Sequence, residues 1–233
     1  MSALWPFDGK GEGGDAMKQS GSLGRLILIA AVIAGVSYFY VVGNQVPGPL
    51  GTIWKGAGVG LLALYAALQA RSTDGWLIAL VMACGALGDV LLDAVGMTAG
   101  AVAFILGHVT AIALYLRNRR DSLAPSQKWL ATLVLPLGVL IAVWSVPFEN
   151  RPMIGIYTGF VAAMAAAAWI SRFPRYRTGI GAMMFLASDL LIFARMGPFS
   201  DATWVGFGIW GLYFAGQVLI VLGVTQKLSE NKY

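Results

Sequence analysis

Three aspartates stand in stretches otherwise too apolar for water: Asp89 and Asp93 in ALVMACGALGDVLLDAVG, and Asp189 in IGAMMFLASDLLIFARMG. Carrying an ionisable side chain to membrane depth costs about 2.5–3.5 kcal/mol on insertion scales, so such groups are expected to face a wet cavity or one another. Carboxyls that meet there can share and exchange a proton, and chemistry is expected at these positions. A lone histidine, His108, a lysine, Lys55, and the polar Tyr157 and Gln217 lie in neighbouring apolar stretches.

The setting follows from composition. Of 233 residues, 58% are hydrophobic and only 12% charged, and the mean hydropathy of +0.73 lies far above that of a soluble domain. A hydrocarbon layer of about 30 Å needs some 20 apolar residues per helical crossing. Eight such windows occur, near 23–43, 50–70, 75–95, 98–116, 129–147, 152–171, 178–196 and 203–226. The expected fold is therefore an all-α polytopic membrane bundle of eight spans over residues 23–226. A transmembrane barrel would alternate polar and apolar residues, and nothing here alternates. Residues 1–22 are Gly-rich, of mixed charge and without period, which reads as a disordered cytoplasmic leader; 227–233 reads as a cytoplasmic tail. The single Cys84 excludes a disulfide within the chain and reads as a small packing residue.

Lysine and arginine set the expected orientation. With the amino terminus inside, thirteen of the sixteen fall on the inner side, including Arg71, Arg117, Arg119, Arg120, Arg172, Arg175 and Arg177. Only Arg151 and Arg195 fall outside, with Lys55 inside the second span. This asymmetry predicts both termini in the cytoplasm and an even number of spans; the expected setting is a bacterial inner membrane. The net charge of +5 then reflects topology and contact with anionic lipid rather than nucleic acid, for which no soluble basic domain exists. At 1.5 Å per residue, Asp89 lies about 21 Å and Asp93 about 27 Å along the third span, and Asp189 about 16 Å along the seventh. His108 and Lys55 fall in the same band, from the midplane to the outer leaflet.

Gly88-Asp89-Val90-Leu91-Leu92 and Ser188-Asp189-Leu190-Leu191-Ile192 share one pattern, as do Gly107-His108-Val109 and Gly216-Gln217-Val218. Two four-span halves related by a parallel repeat would produce both matches and would set Asp89 opposite Asp189. Midplane carboxyls on such a repeat are also what a proton-coupled transporter or lipid carrier uses, so a non-enzymatic reading stands beside an enzymatic one.

Other chemistries find less support. One histidine and one cysteine cannot assemble the three-histidine or histidine-cysteine zinc sites of membrane hydrolases. No Gly-x-Ser-x-Gly elbow surrounds Ser188, and Ala86 breaks the Gly-x-Gly-Asp pattern of intramembrane aspartyl proteases. The run Gly56-x-Gly58-x-Gly60 lies within a span and reads as close helix packing rather than as a phosphate cradle.

Gly85-Ala86-Leu87-Gly88-Asp89-Val90-Leu91-Leu92, then Ala103-Phe104-Ile105-Leu106-Gly107-His108, then Gly181-Ala182-Met183-Met184-Phe185-Leu186-Ala187-Ser188-Asp189, resembles the YhhN-like lysoplasmalogenase family of eight-span membrane proteins. Lys55, the Tyr157 to Met164 spacing and Gln217 are further matches, although Gly56 follows Lys55 where the family often has proline. The resemblance covers about residues 23–226. It implies hydrolysis of the vinyl ether bond of a lysophospholipid, the lysoplasmalogen, to a fatty aldehyde and a glycerophospho-ethanolamine or -choline, without cofactor or metal. That reaction needs a carboxylic acid still protonated near neutral pH and a carboxylate to steady a cation and orient water. Asp89 and Asp189 are the expected catalytic pair, the roles of acid and base unassigned between them. Asp93 is expected to tune the pair or bind an amine headgroup, His108 and Gln217 to position water or phosphate, and Lys55 to meet phosphate. Tyr157 and Gln217 also read as interhelical hydrogen bonders. Access is expected laterally or from the outer leaflet.

Overall fold

In the computed structural model, residues 12–46 and 48–230 are described, those from 12 to 21 by backbone alone. Eight helices follow one another: α1 (Glu12–Asn44), α2 (Pro49–Gln69), α3 (Thr73–Ala94), α4 (Met97–Arg117), α5 (Pro125–Trp144), α6 (Arg151–Ile170), α7 (Ile180–Ala194) and α8 (Val205–Glu230). A 3₁₀ turn, Phe148–Asn150, leads into α6, and a π-helical turn, Arg175–Gly179, leads into α7. Each is long and apolar enough to cross a membrane, α7 together with its π turn, and the large side chains facing outward are apolar, as hydrocarbon requires. The expected all-α, eight-span bundle is the fold this chain adopts. The first span, Ser22–Asn44, starts where expected, but its helix extends back to Glu12, into residues expected to be a disordered leader. Residues 1–11 of the expected leader lie outside the described residues.

Local chemistry explains where the helices begin. Proline occupies the first turn of α2, α5 and α6, where its missing N–H leaves no bond unmade. Ser72 caps α3 by accepting from the Gly75 N–H at 3.2 Å. The sharp α3–α4 reversal passes through Gly96 at φ +128°, a conformation open to glycine.

Two ends of the bundle differ. At one, the α2–α3, α4–α5 and α6–α7 connections are tied together: Arg117 and Asn118 reach Asp74 at 3.2 and 2.8 Å, and Arg120 donates to the carbonyls of Ser171 and Phe173. The arginines expected on the inner side therefore gather at one face. At the opposite end lie the α1–α2, α3–α4, α5–α6 and α7–α8 connections, which carry few such ties.

Within the bundle α1 and α5 are peripheral, whereas α6 and α7 are the most enclosed. The halves meet where α4 packs on α6, and where α8 packs on α1, α2 and α3. Close approach depends on glycine. A Cβ on Gly56 would stand 2.7 Å from Val90, and one on Gly58 3.2 Å from Phe214, so this run is a packing surface as expected. At one close crossing of backbones α7 meets α8, where a Cβ on Gly181 would meet the Gly216 carbonyl at 2.6 Å and one on Gly216 the Gly181 carbonyl at 2.7 Å. Backbone cannot rotate aside as a side chain can. Gly181→Ala or Gly216→Ala is accordingly expected to cost about 1–3 kcal/mol by overpacking, read as a lowered Tm in detergent, with Gly159→Ala, where nothing among the described residues lies within 4 Å, as the neutral control.

Candidate active site

Asp89 lies in the fifth turn of α3 and is buried, with only 2% of its surface exposed. Two glycines shortly before it, Gly85 and Gly88, make room for what surrounds it. A Cβ on Gly88 would press on the Phe104 ring of α4 at 2.8 Å, and one on Gly85 would meet Nε2 of Gln217 at 2.8 Å and the Tyr213 hydroxyl at 3.5 Å. The Gly-x-x-Gly-Asp spacing thus lets α4 and α8 close on α3 beside the carboxyl. Tyr213 of α8 donates its hydroxyl proton to Oδ2 of Asp89 at 2.7 Å, and Gln217, one turn on, hydrogen-bonds the same hydroxyl.

Asp189 of α7 is 5% exposed. Its neighbour Ser188 donates to the Ile209 carbonyl of α8 at 2.9 Å, fixing the rotation of α7. Tyr157 of α6 donates to Oδ2 of Asp189 at 2.9 Å, and Nε2 of His108 lies 3.5 Å from the Tyr157 oxygen. The two carboxyls are therefore held alike, each by a tyrosine from another helix that carries a further polar group behind it. The donors do not follow the expected repeat: Tyr213 comes from the last helix of the second half and Tyr157 from the second helix of that same half.

Both carboxyls line one cavity of about 920 Å³, near the upper end of the roughly 300–1,000 Å³ usual for small-molecule sites. Its walls are apolar, with Val41, Val42, Leu92, Ile154, Ile192 and Ile209. At the loosely tied end it reaches a polar rim of Lys55, Asp93 and the exposed α7–α8 connection with Arg195, Ser200, Asp201 and Thr203. Lys55 and Asp93 pair across α2 and α3 at 2.9 Å. Phe104, Tyr213 and Phe185 form an edge-to-face cluster with centroids 5.1–6.1 Å apart between the two carboxyls and His108. Two carboxyls facing one void can give a proton to a bound molecule and take one from a second reactant.

A cavity of this form, on eight spans carrying Gly88-Asp89 and Ser188-Asp189, agrees with a family match. The YhhN family profile matches residues 50–224, three quarters of the chain. This chain belongs to the YhhN family. Lysoplasmalogenases of Mycobacterium bovis (strain ATCC BAA-935 / AF2122/97) and Mycobacterium tuberculosis (strain CDC 1551 / Oshkosh) are each 31% identical to it over 133 residues, 53% of this chain and 49% of the relative. The chain spans about half the length of these curated relatives. No solved structure matches. Within the family region fall every carboxyl, hydroxyl and cation described above.

Of the residues expected to act, the structure brings Asp89, Asp189, Asp93, Lys55 and Tyr157 to the cavity wall. His108 and Gln217 stand one step behind it, each reached through a tyrosine. Tyr157 is an interhelical hydrogen bonder as expected, whereas the bond from Gln217 to Tyr213 stays within α8. Lys55 and Asp93, assigned separately to phosphate and amine, are each other's partner. The sequence alone assigns no site role to Tyr213 or Arg195. The one available signal for Tyr213 was its place four residues before Gln217, which puts both on one face of α8.

Removal of the Tyr213 hydroxyl strips a buried carboxyl oxygen of its donor. Tyr213→Phe is expected to cost about 1–3 kcal/mol, seen as a lower Tm, while Tyr40→Phe on the exposed face of α1 should leave Tm unchanged.

Proposed function

We propose that this protein is a lysoplasmalogenase-like hydrolase, cleaving the vinyl ether bond of a lysophospholipid with Asp89 and Asp189 as its acid and base. The observation that carries this reading is the pairing of two buried carboxyls in one cavity with apolar walls and a charged rim. That shape suits a molecule with one long chain and one polar head. Membership of the YhhN family and likeness to lysoplasmalogenases support it.

The reaction follows from the groups present. A vinyl ether is nucleophilic at its β carbon. The protonated member of the aspartate pair gives its proton to that carbon, leaving an oxocarbenium ion whose charge both carboxylates oppose. The ionised partner takes a proton from a water as its oxygen bonds the cationic carbon, forming a hemiacetal. Loss of the hemiacetal hydroxyl proton and protonation of the glycerol oxygen break the C–O bond, releasing aldehyde and glycerophosphodiester and restoring one proton to the pair. Since Tyr213 and Tyr157 each occupy Oδ2, Oδ1 of each aspartate is the oxygen left for this exchange. No cofactor is invoked.

Headgroup binding falls to the rim. Arg195 and Lys55 supply positive charge for the phosphodiester, and Asp93 and Asp201 supply negative charge for an ammonium group. With both termini in the cytoplasm of a bacterium and the spans in its inner membrane, the arginine-rich end faces inward and the rim opens toward the outer leaflet, from which the lipid enters.

Purified protein given a lysoplasmalogen should release fatty aldehyde. Asp89→Asn and Asp189→Asn should each lower kcat at least about 100-fold, the scale of general acid-base assistance; full turnover in either would sink the assignment. Arg195→Ala is expected to raise KM a few-fold with little change in kcat, and to lose that effect on a substrate without phosphate.

A further inference from the structure

A second, much smaller cavity lies behind the two carboxyls, between α3, α4, α6, α7 and α8. Its volume is about 20 Å³, and a void needs roughly 10–15 Å³ of such volume to hold one water. Three polar side chains line it: Tyr115, His108 and Gln217, exposed by 0, 4 and 2%. The Tyr115 hydroxyl is buried and, among the described residues, has no hydrogen-bond partner, a state that costs free energy unless something in the cavity answers it.

Proton counting shows what that must be. Tyr213 commits its proton to Asp89, so the contact from Gln217 to the same oxygen has to come from the amide N–H, which leaves Oε1 of Gln217 as an acceptor. Tyr157 commits its proton to Asp189, so its contact with His108 requires the proton on Nε2, which leaves Nδ1 as an acceptor. The side chains lining the cavity thus carry two acceptors and one hydroxyl needing a partner. A water has two protons to give and accepts from the hydroxyl, making the three bonds usual for a buried water.

We propose that this cavity binds a single structural water that accepts from Tyr115 and donates to His108 Nδ1 and Gln217 Oε1. It thereby fixes the direction of both hydrogen-bond chains, so that Tyr157 and Tyr213 always donate to the carboxyls. Tyr115, His108 and Gln217 are positioning residues in this arrangement. Its catalytic consequence rests on the hydrolase reading above; the water site itself does not.

His108 is the sole histidine of the chain, so ¹⁵N-histidine labelling of tag-free protein in detergent yields one imidazole to read. The wild-type spectrum should show the Nε2–H tautomer with a hydrogen-bonded Nδ1; an Nδ1–H tautomer overturns the proposal. Tyr115→Phe removes one hydroxyl. It should move the Nδ1 resonance, lower Tm by a few degrees, and lower kcat several-fold at unchanged KM. If the cavity is dry, the same change relieves an orphan hydroxyl: an unchanged or raised Tm with an unmoved Nδ1 resonance overturns the water site. Retention of turnover in the Asp89→Asn and Asp189→Asn variants would instead remove the hydrolase reading and leave these two readouts to judge the water.

Discussion

A carboxyl group in the hydrocarbon layer has to be met by a donor from its own protein, and this chain contains two such groups on different helices. Each is answered by a tyrosine hydroxyl from a helix that packs alongside, Tyr213 for Asp89 and Tyr157 for Asp189. That requirement determines which helices are neighbours. α8 has to lie against α3 and α6 against α7, and small residues permit it: Gly85 leaves room for Tyr213 and Gln217, and Gly88 for the Phe104 ring. Packing in a bilayer has no hydrophobic drive between helices, so close backbone approach and interhelical hydrogen bonds carry the association. Here the same contacts serve both purposes.

Much of this was legible in the residues themselves, for a physical reason. An aspartate inside twenty apolar residues is costly, and cost leaves a mark that can be read without coordinates; Asp89 and Asp189 stand out on that ground, as do the eight windows around them. Tyr213 carried no such mark, because tyrosines are frequent near membrane interfaces and an uncharged phenol in a span needs no special account. The pairing of Lys55 with Asp93 was hidden for another reason. Which residues meet across α2 and α3 depends on the relative rotation and height of two helices, and Gly56 packing against Val90 sets both. The start of α1 escaped because its first turns are glycine-rich and mixed in charge, without the period that signals a helix.

The bundle is asymmetric along its length. One end is stitched by Arg117, Asn118 and Arg120 to carboxylate and carbonyl partners on other connections, while the other opens into the large cavity. Local opening follows where few ties hold the backbone, so the end at which the cavity opens is also the end able to move. The closed end keeps the lower halves of the helices fixed while that happens.

The π-helical turn ahead of α7 bears on the aim of Asp189. The Ile180 N–H reaches back five residues to the Arg175 carbonyl rather than four, so the turn holds one residue more than regular helix would. Each residue of an α-helix advances the side-chain direction by about 100°. A helix continued without this extra residue would swing the Ser188-Asp189 face about a quarter-turn away from its present aim at the cavity. The wide turn works as a phase shifter between an arginine-bound hinge and the carboxyl four turns away.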